Sequence, residues 1–173
     1  MTMTLRLLVV LAALASGCSF EADLSEVEIT QHGVKVPGKP GSGTADQSAS
    51  ASFAFSKAAS DLAKSINRDV QIHQIAIAAS GGVPNLTFIK SMHVTMATPS
   101  NPDLTVELLS YDRTQSESDG WDIQVTMPVP IDVTATWVAA RTEIEIEMAG
   151  RLPQQDWAVD VTLTFSGKIT YEP

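Results

Sequence analysis

One cysteine, three histidines and an aromatic content of 6% are all that this 173-residue chain offers to much of protein chemistry, and each shortage excludes something. With Cys18 as the single thiol, the rest of the chain has no disulfide, no thiolate nucleophile and no cysteine metal ligand. His32, His73 and His93 fall in no H-E-x-x-H pattern and at no other recognised ligand spacing. Basic residues are few as well: 11 Lys and Arg face 20 Asp and Glu, for a formal charge of −9. That balance excludes nucleic acid as a partner, because backbone binding rests on neutralising phosphates. The same field repels a bare anionic lipid surface. Long hydrophobic runs are missing too. The apolar stretch Leu7–Ala15 has nine residues, where a membrane-spanning helix needs about 20.

That stretch has a different meaning. It follows Arg6, the only charge before Cys18, and it ends in small residues, which is the anatomy of a secretory signal. Leu14, Ala15, Ser16, Gly17 and Cys18 resemble the lipobox of bacterial lipoprotein precursors. Ala15 stands three before the cysteine, where leucine is usual, and Leu14 lies one position further back. The resemblance covers the signal region only, about a tenth of the chain. It implies cleavage between Gly17 and Cys18, diacylglycerol on the Cys18 thiol and three acyl chains, of the palmitate type, on that terminal residue, so that residues 1–17 are removed. Ser19, standing where an aspartate favours inner-membrane retention in proteobacterial lipoproteins, implies the outer membrane in a cell that has one. Acylation also removes a lone thiol that would be a liability in an oxidising envelope. The membrane partner would then be held through acyl chains rather than through a basic patch.

The 156 residues from Cys18 to Pro173 suffice for one domain with a sizeable core. Residues 18–23 read as the lipidated N-terminus and a short spacer, and residues 24–173 as the domain. Its periodicity is that of strands. Ile144, Ile146 and Met148 alternate with Glu143, Glu145 and Glu147, which puts apolar groups on one face and carboxylates on the other. Trp157, Val159, Val161, Leu163 and Phe165 repeat the pattern. Gly150–Asp156 between them reads as the turn of an antiparallel hairpin. Shorter alternating runs occur around Val27–Val36, Phe53, Val70–Ile77, Met92–Met96, Leu104–Leu108 and Ile123–Met127. The apolar phase slips between Ile72 and Ile75, predicting a bulge at His73 and Gln74. About eight or nine strands predict an all-β protein, an antiparallel β-sandwich of immunoglobulin-like or jelly-roll topology. A closed barrel is the alternative. Helical spacing is confined to Ser56–Ile66, with single turns capped by Asn85 and Thr136. The Gly, Ser and Ala-rich stretch 37–52 reads as a mobile loop.

Candidate chemistry is sparse. Asp112, Glu117, Asp119 and Asp122 gather around Gly120 but lack the EF-hand alternation, so a solvated acidic loop is the simpler reading. Glu143, Glu145 and Glu147 read as a solvated face whose repulsion discourages edge pairing. Ser80-Gly81-Gly82 lacks a G-x-S-x-G elbow and a matched base. No P-loop or dinucleotide fingerprint occurs. The expectation is therefore no catalytic residue, no metal and no cofactor. Trp121 and Trp137, at strand starts or loop ends, are the candidate ligand-binding pair, as a platform for sugar rings. The functional expectation is a non-catalytic, membrane-anchored module that binds a partner protein or supports an envelope assembly, with carbohydrate binding as the alternative and an extracellular hydrolase as a weaker one.

Overall fold

The computed structural model describes residues 20–41, 45–55, 65–114, 122–139 and 141–171. Eight strands run in sequence: β1 (Phe20–Val36), β2 (Gln47–Ala54), β3 (Arg68–Gly81), β4 (Ile89–Thr98), β5 (Asn101–Asp112), β6 (Asp122–Asp132), β7 (Glu143–Gly150) and β8 (Trp157–Tyr171). One short helix, α1 (Thr134–Val138), lies between β6 and β7. The strands form two four-stranded sheets, ordered β1-β8-β3-β6 and β2-β7-β4-β5, and every pairing is antiparallel.

This order decides between the expected topologies. β1 pairs with β8, β2 with β7, β3 with β6 and β4 with β5. The chain behaves as one long hairpin, rolled so that β8 also meets β3 and β7 also meets β4. That is a jelly roll. The tip of the hairpin is Pro99-Ser100 between β4 and β5.

Alternation on each strand supplies the core. Ile72, Ile75 and Ile77 of β3, Trp157, Val159, Val161, Leu163 and Phe165 of β8, Met92, Val94 and Met96 of β4, and Ile144, Ile146 and Met148 of β7 are all buried, while Glu145 and Glu147 face solvent. Trp157 points inward as its register predicts, edge-on to Phe88 with ring centroids 5.0 Å apart. The predicted phase slip is a bulge on β3: against β8, Ile72 stands opposite Phe165 and Gln74 opposite Thr164, which leaves His73 as the extra residue. His73 absorbs the extra residue, so Ile72 and Ile75 both remain inside.

Four expectations are corrected. β7 and β8 do not form a hairpin. They lie in opposite sheets, and the connection from Arg151 to Asp156 bridges the layers, with Leu152 buried in passing. The stretch 37–52 is not one mobile loop, because β2 begins at Gln47 and Ala49 and Ala51 enter the core. Residues 20–23 are not a spacer: β1 begins at Phe20, opposite Tyr171. Thr136 does not cap a helix. α1 starts two residues earlier, after Val133, and buried Thr136 spends its hydroxyl on the Leu104 carbonyl (3.2 Å). Asn85 does cap a turn, its side-chain oxygen accepting from the Thr87 amide (3.1 Å) and hydroxyl (2.6 Å). Most of Ser56–Ile66, the expected helix, lies outside the described residues; Ile66 is buried.

Since successive strands alternate in direction, both ends of the β1–β8 pair near Phe20 and Tyr171, the turn at Pro99-Ser100 and α1 share one end of the sandwich. The connections leaving Val36, Gly81, Asp112 and Gly150 depart from the other.

Candidate functional site

The outer face of the β1-β8-β3-β6 sheet carries a polar cleft of about 450 Å³, lined by Asp23, Leu24 and Ser25 of β1, Asp69 and Gln71 of β3, Asp132 of β6, and Ser166, Gly167 and Lys168 of β8. Two bulges open it. Ser25 and Glu26 stand opposite the single residue Ser166, because the register with β8 jumps from Leu24 to Val27. On the other side of β8, Asp69 and Val70 stand opposite Gly167, because the register jumps from Arg68 to Gln71. Each bulge contains a non-glycine residue in the left-handed region, Glu26 at φ 54° and Asp69 at φ 50°. Such conformations cost of order 1–3 kcal/mol each and persist only where the surrounding structure enforces them. Here the enforcement is the pairing of both neighbours along β8.

Charge within the cleft is partly balanced. The Lys168 ammonium donates to Asp69 (3.0 Å) and Glu21 (3.1 Å), and these hydrogen bonds, with the negative charge of the two accepting carboxylates, push its pKa upward. Asp132 accepts the Thr134 amide (2.9 Å), which holds its carboxyl below the usual range. Just above, the His73 imidazole Nε2 meets the Ser166 hydroxyl at 2.7 Å. The lining is a set of carboxylates, hydroxyls, an amide and an ammonium, suited to hydrogen-bonded recognition of a polar ligand.

A second constellation lies further along the same sheet, where Ser80 from the superficially reactive Ser-Gly-Gly run is found. Asp160 of β8 accepts from the Gly33 amide (2.9 Å), from His32 Nδ1 (2.7 Å) and from Ser80. Serine and histidine thus converge on the carboxylate. Burial raises the Asp160 pKa, but the donors Gly33, His32 and Ser80 outweigh it, and the carboxyl titrates below the ordinary range. A depressed folded value means that the stabilisation is complete above the unfolded pKa of about 3.9 and is lost as pH falls through the folded value. Asp160→Asn should therefore be less stable than the parent at neutral pH, and the difference should shrink as pH falls below about 4, read by urea unfolding from pH 6 to pH 2. A gap that stays constant over that range would contradict it.

The other sheet presents a different surface. Glu143, Glu145 and Glu147 of β7 form a carboxylate row, flanked by Ala54, Ser52 and Ser50 of β2 on one side and by Ala97, Thr95 and His93 of β4 on the other. Glu143 pairs with Arg141 (2.7 Å) and His93 approaches Glu107 at 3.6 Å. His73 and His93 lie in different sheets and do not meet across one.

Trp137 is not a sugar platform. It is fully buried, with its ring 5.6 Å from that of Phe55 and 4.7 Å from that of Phe165. α1 turns it inward to close one end of the core. Trp121, its expected companion, lies outside the described residues, as do Gly17, Cys18, Glu117 and Asp119. Asp112, at the start of the acidic stretch, is committed to a local turn, accepting from the Thr114 amide (2.8 Å) and hydroxyl (2.7 Å). The cleft was missed because its residues belong to four strands distant in sequence. The one signal in the sequence is Gly167, a glycine within the β8 strand pattern that permits a bend or bulge; the bulges form on the two strands paired with β8 instead.

No family model and no curated protein matches the chain. Among solved structures it is similar, at 12% identity and a TM-score of 0.32, to one from work on the promiscuous specificity of carbohydrate-binding modules of the β-sandwich superfamily, over 91% of this chain and 58% of that one. A structure of infectious bursal disease virus Gx strain is similar at 12% identity and a TM-score of 0.25, over 99% of this chain and 42% of that one. The chain thus spans about half the length of either. Likeness at this level carries no statement about ligands.

Proposed function

We propose that this chain is the precursor of a lipid-anchored lipoprotein of the bacterial cell envelope, its β-sandwich a non-catalytic module that binds a partner or supports an assembly. The observation that carries the reading is the start of β1. Phe20 is already paired to Tyr171, so Ser19 alone separates the lipobox cysteine from the sheet. A diacylglycerol on Cys18 would place the end of the sandwich that holds Phe20 and Tyr171 at the bilayer surface. The connections leaving Val36, Gly81, Asp112 and Gly150 would then point away from it. The acidity of the domain fits attachment by acyl chains, since a surface of this charge gains nothing from anionic headgroups. Ser19 favours the outer membrane under the same resemblance. The polar cleft, near the anchored end, is the surface best suited to a polar ligand.

Wild-type protein expressed in a bacterial host should incorporate a fatty-acid probe and partition with membranes, whereas Cys18→Ala should do neither. An unlabelled wild type would end the anchor reading. Crosslinking in intact cells, with Cys18→Ala as the unanchored control, would identify the partner.

A further inference from the structure

We propose that the outer edge of β2 accepts an extended segment of a partner protein as a fifth strand of the β2-β7-β4-β5 sheet, with basic side chains at alternate positions along it. The inference deepens the binding-module reading and does not depend on the anchor.

A two-sheet sandwich has four edge strands, each presenting backbone N–H and C=O groups that invite pairing, and proteins guard them with charge, proline or bulges. Three edges here are guarded. β1 carries Glu21, Asp23, Glu26 and Glu28 together with two breaks in register. β5 carries Pro102, Asp103 and Glu107 and two shifts against β4. β6 carries Pro128 and Pro130, and its pairing with β3 stops at Thr126 and resumes at Ile131. Val129 between the prolines is 74% exposed, as expected of a protruding break.

β2 has none of these. Its eight residues, Gln-Ser-Ala-Ser-Ala-Ser-Phe-Ala, include no charge, no proline and no glycine. Its register with β7 is unbroken from Gln47 to Ala54. β2 ends the sheet order, and among the described residues no strand pairs with its other side. Ser48, Ser50 and Ser52 are exposed, and their side chains are too short to shield the backbone.

The carboxylate row sets the chemistry of the occupant. Glu147 and Glu145 lie directly across β2 from the added strand, behind Ser50 and Ser52, and neither has a cationic partner among the described residues. Strands are about 4.8 Å apart, so outward side chains of an added strand stand about 10 Å from the row. Lysine or arginine stems span that gap over a serine, whereas acidic side chains would be repelled. Inward positions of the added strand fall beside Ala49 and Ala51, where small or branched apolar residues fit the rim of the core.

The test uses the full chain carrying Cys18→Ala and three synthetic octapeptides: strictly alternating Lys and Val, the same composition ordered Lys-Lys-Val-Val, and alternating Glu and Val. Alternating Lys and Val should slow hydrogen exchange of β2 amides by about tenfold at saturation, with β1, β5 and β6 unchanged. The other two peptides should leave β2 exchange unaltered. Glu145→Gln combined with Glu147→Gln, at exposed positions that leave the core intact, should weaken binding several-fold to about tenfold. Ser50→Lys should weaken it likewise. Equal protection by the non-alternating peptide, protection at another edge, or no protection would overturn the proposal. So would slow β2 exchange that depends on protein concentration without peptide, which would assign the edge to a second copy. Because the protein used is unacylated, each outcome is independent of the fatty-acid experiment.

Discussion

Trp137→Ala is expected to cost about 3–5 kcal/mol of stability, the range for removing a large aromatic side chain from a packed interior. Three features place it there. The residue is fully buried. Its ring is tilted against both Phe55 and Phe165, contacts worth about 0.5–1.5 kcal/mol each beyond the area they bury. It also anchors α1, and Thr142, just before β7, closes the connection, its hydroxyl donating to the carbonyl of Thr136 in α1 at 2.9 Å. Removing the ring leaves a cavity bounded by strands of both sheets, whose backbones are held by their own ladders and cannot collapse into it. Trp137→Phe should retain part of the loss by keeping one ring in the slot. The measurement is the urea midpoint of each variant. A Trp137→Ala protein within about 1 kcal/mol of the parent would show that the ring is not part of the core.

Gly150→Ala is expected to destabilise by at least about 3 kcal/mol although it adds only a methyl group. Gly150 ends β7 with φ at 153°, and a Cβ there would clash with the Phe88 carbonyl oxygen and meet the Lys90 nitrogen at 3.0 Å and the Ile89 Cα at 3.1 Å. All three are backbone atoms at the start of β4, so no side chain can swing aside. β7 is paired on both sides at this point, to Gln47 of β2 and to Ile89 of β4, and relief would require opening one ladder. The Arg151 amide, which donates to the Phe88 carbonyl at 3.1 Å, would be displaced with it. Unfolding of Gly150→Ala should occur at lower urea with an unchanged slope. An alanine variant of parental stability would mean that β4 shifts freely, contrary to the geometry of the sheet.

The two residues also divide what was legible from what was not. The faces of β7 and β8 follow from alternation alone: Glu145 and Glu147 outside, Ile146 and Met148 inside, Trp157 inward. The His73 bulge was legible because a bulge is a phase slip in the same pattern. The sequence of Trp137, by contrast, shows only a large ring near a strand end, and the same ring serves as an exposed platform or as a plug. Which it is depends on whether α1 turns toward the core, and that is decided by Phe55 and Phe165, distant in the chain. The β7–β8 pairing was misread for a related reason. Alternation fixes the face a strand turns inward but not its neighbour, and a short Gly and Pro-bearing connection serves a hairpin or a bridge between sheets equally well.

By itself, then, the chain of residues determined the fold class and the acidic character of the protein, because these follow from periodicity and net charge; the lipobox resemblance at Cys18, a run of five residues, supports the proposal of an anchor. Tertiary structure decided the jelly-roll order, the paired bulges that open the cleft around Lys168, the burial of Trp137 and the unguarded edge at β2. Each depends on which strands become neighbours, and that choice is made by the packing of two whole sheets against each other rather than by any segment alone.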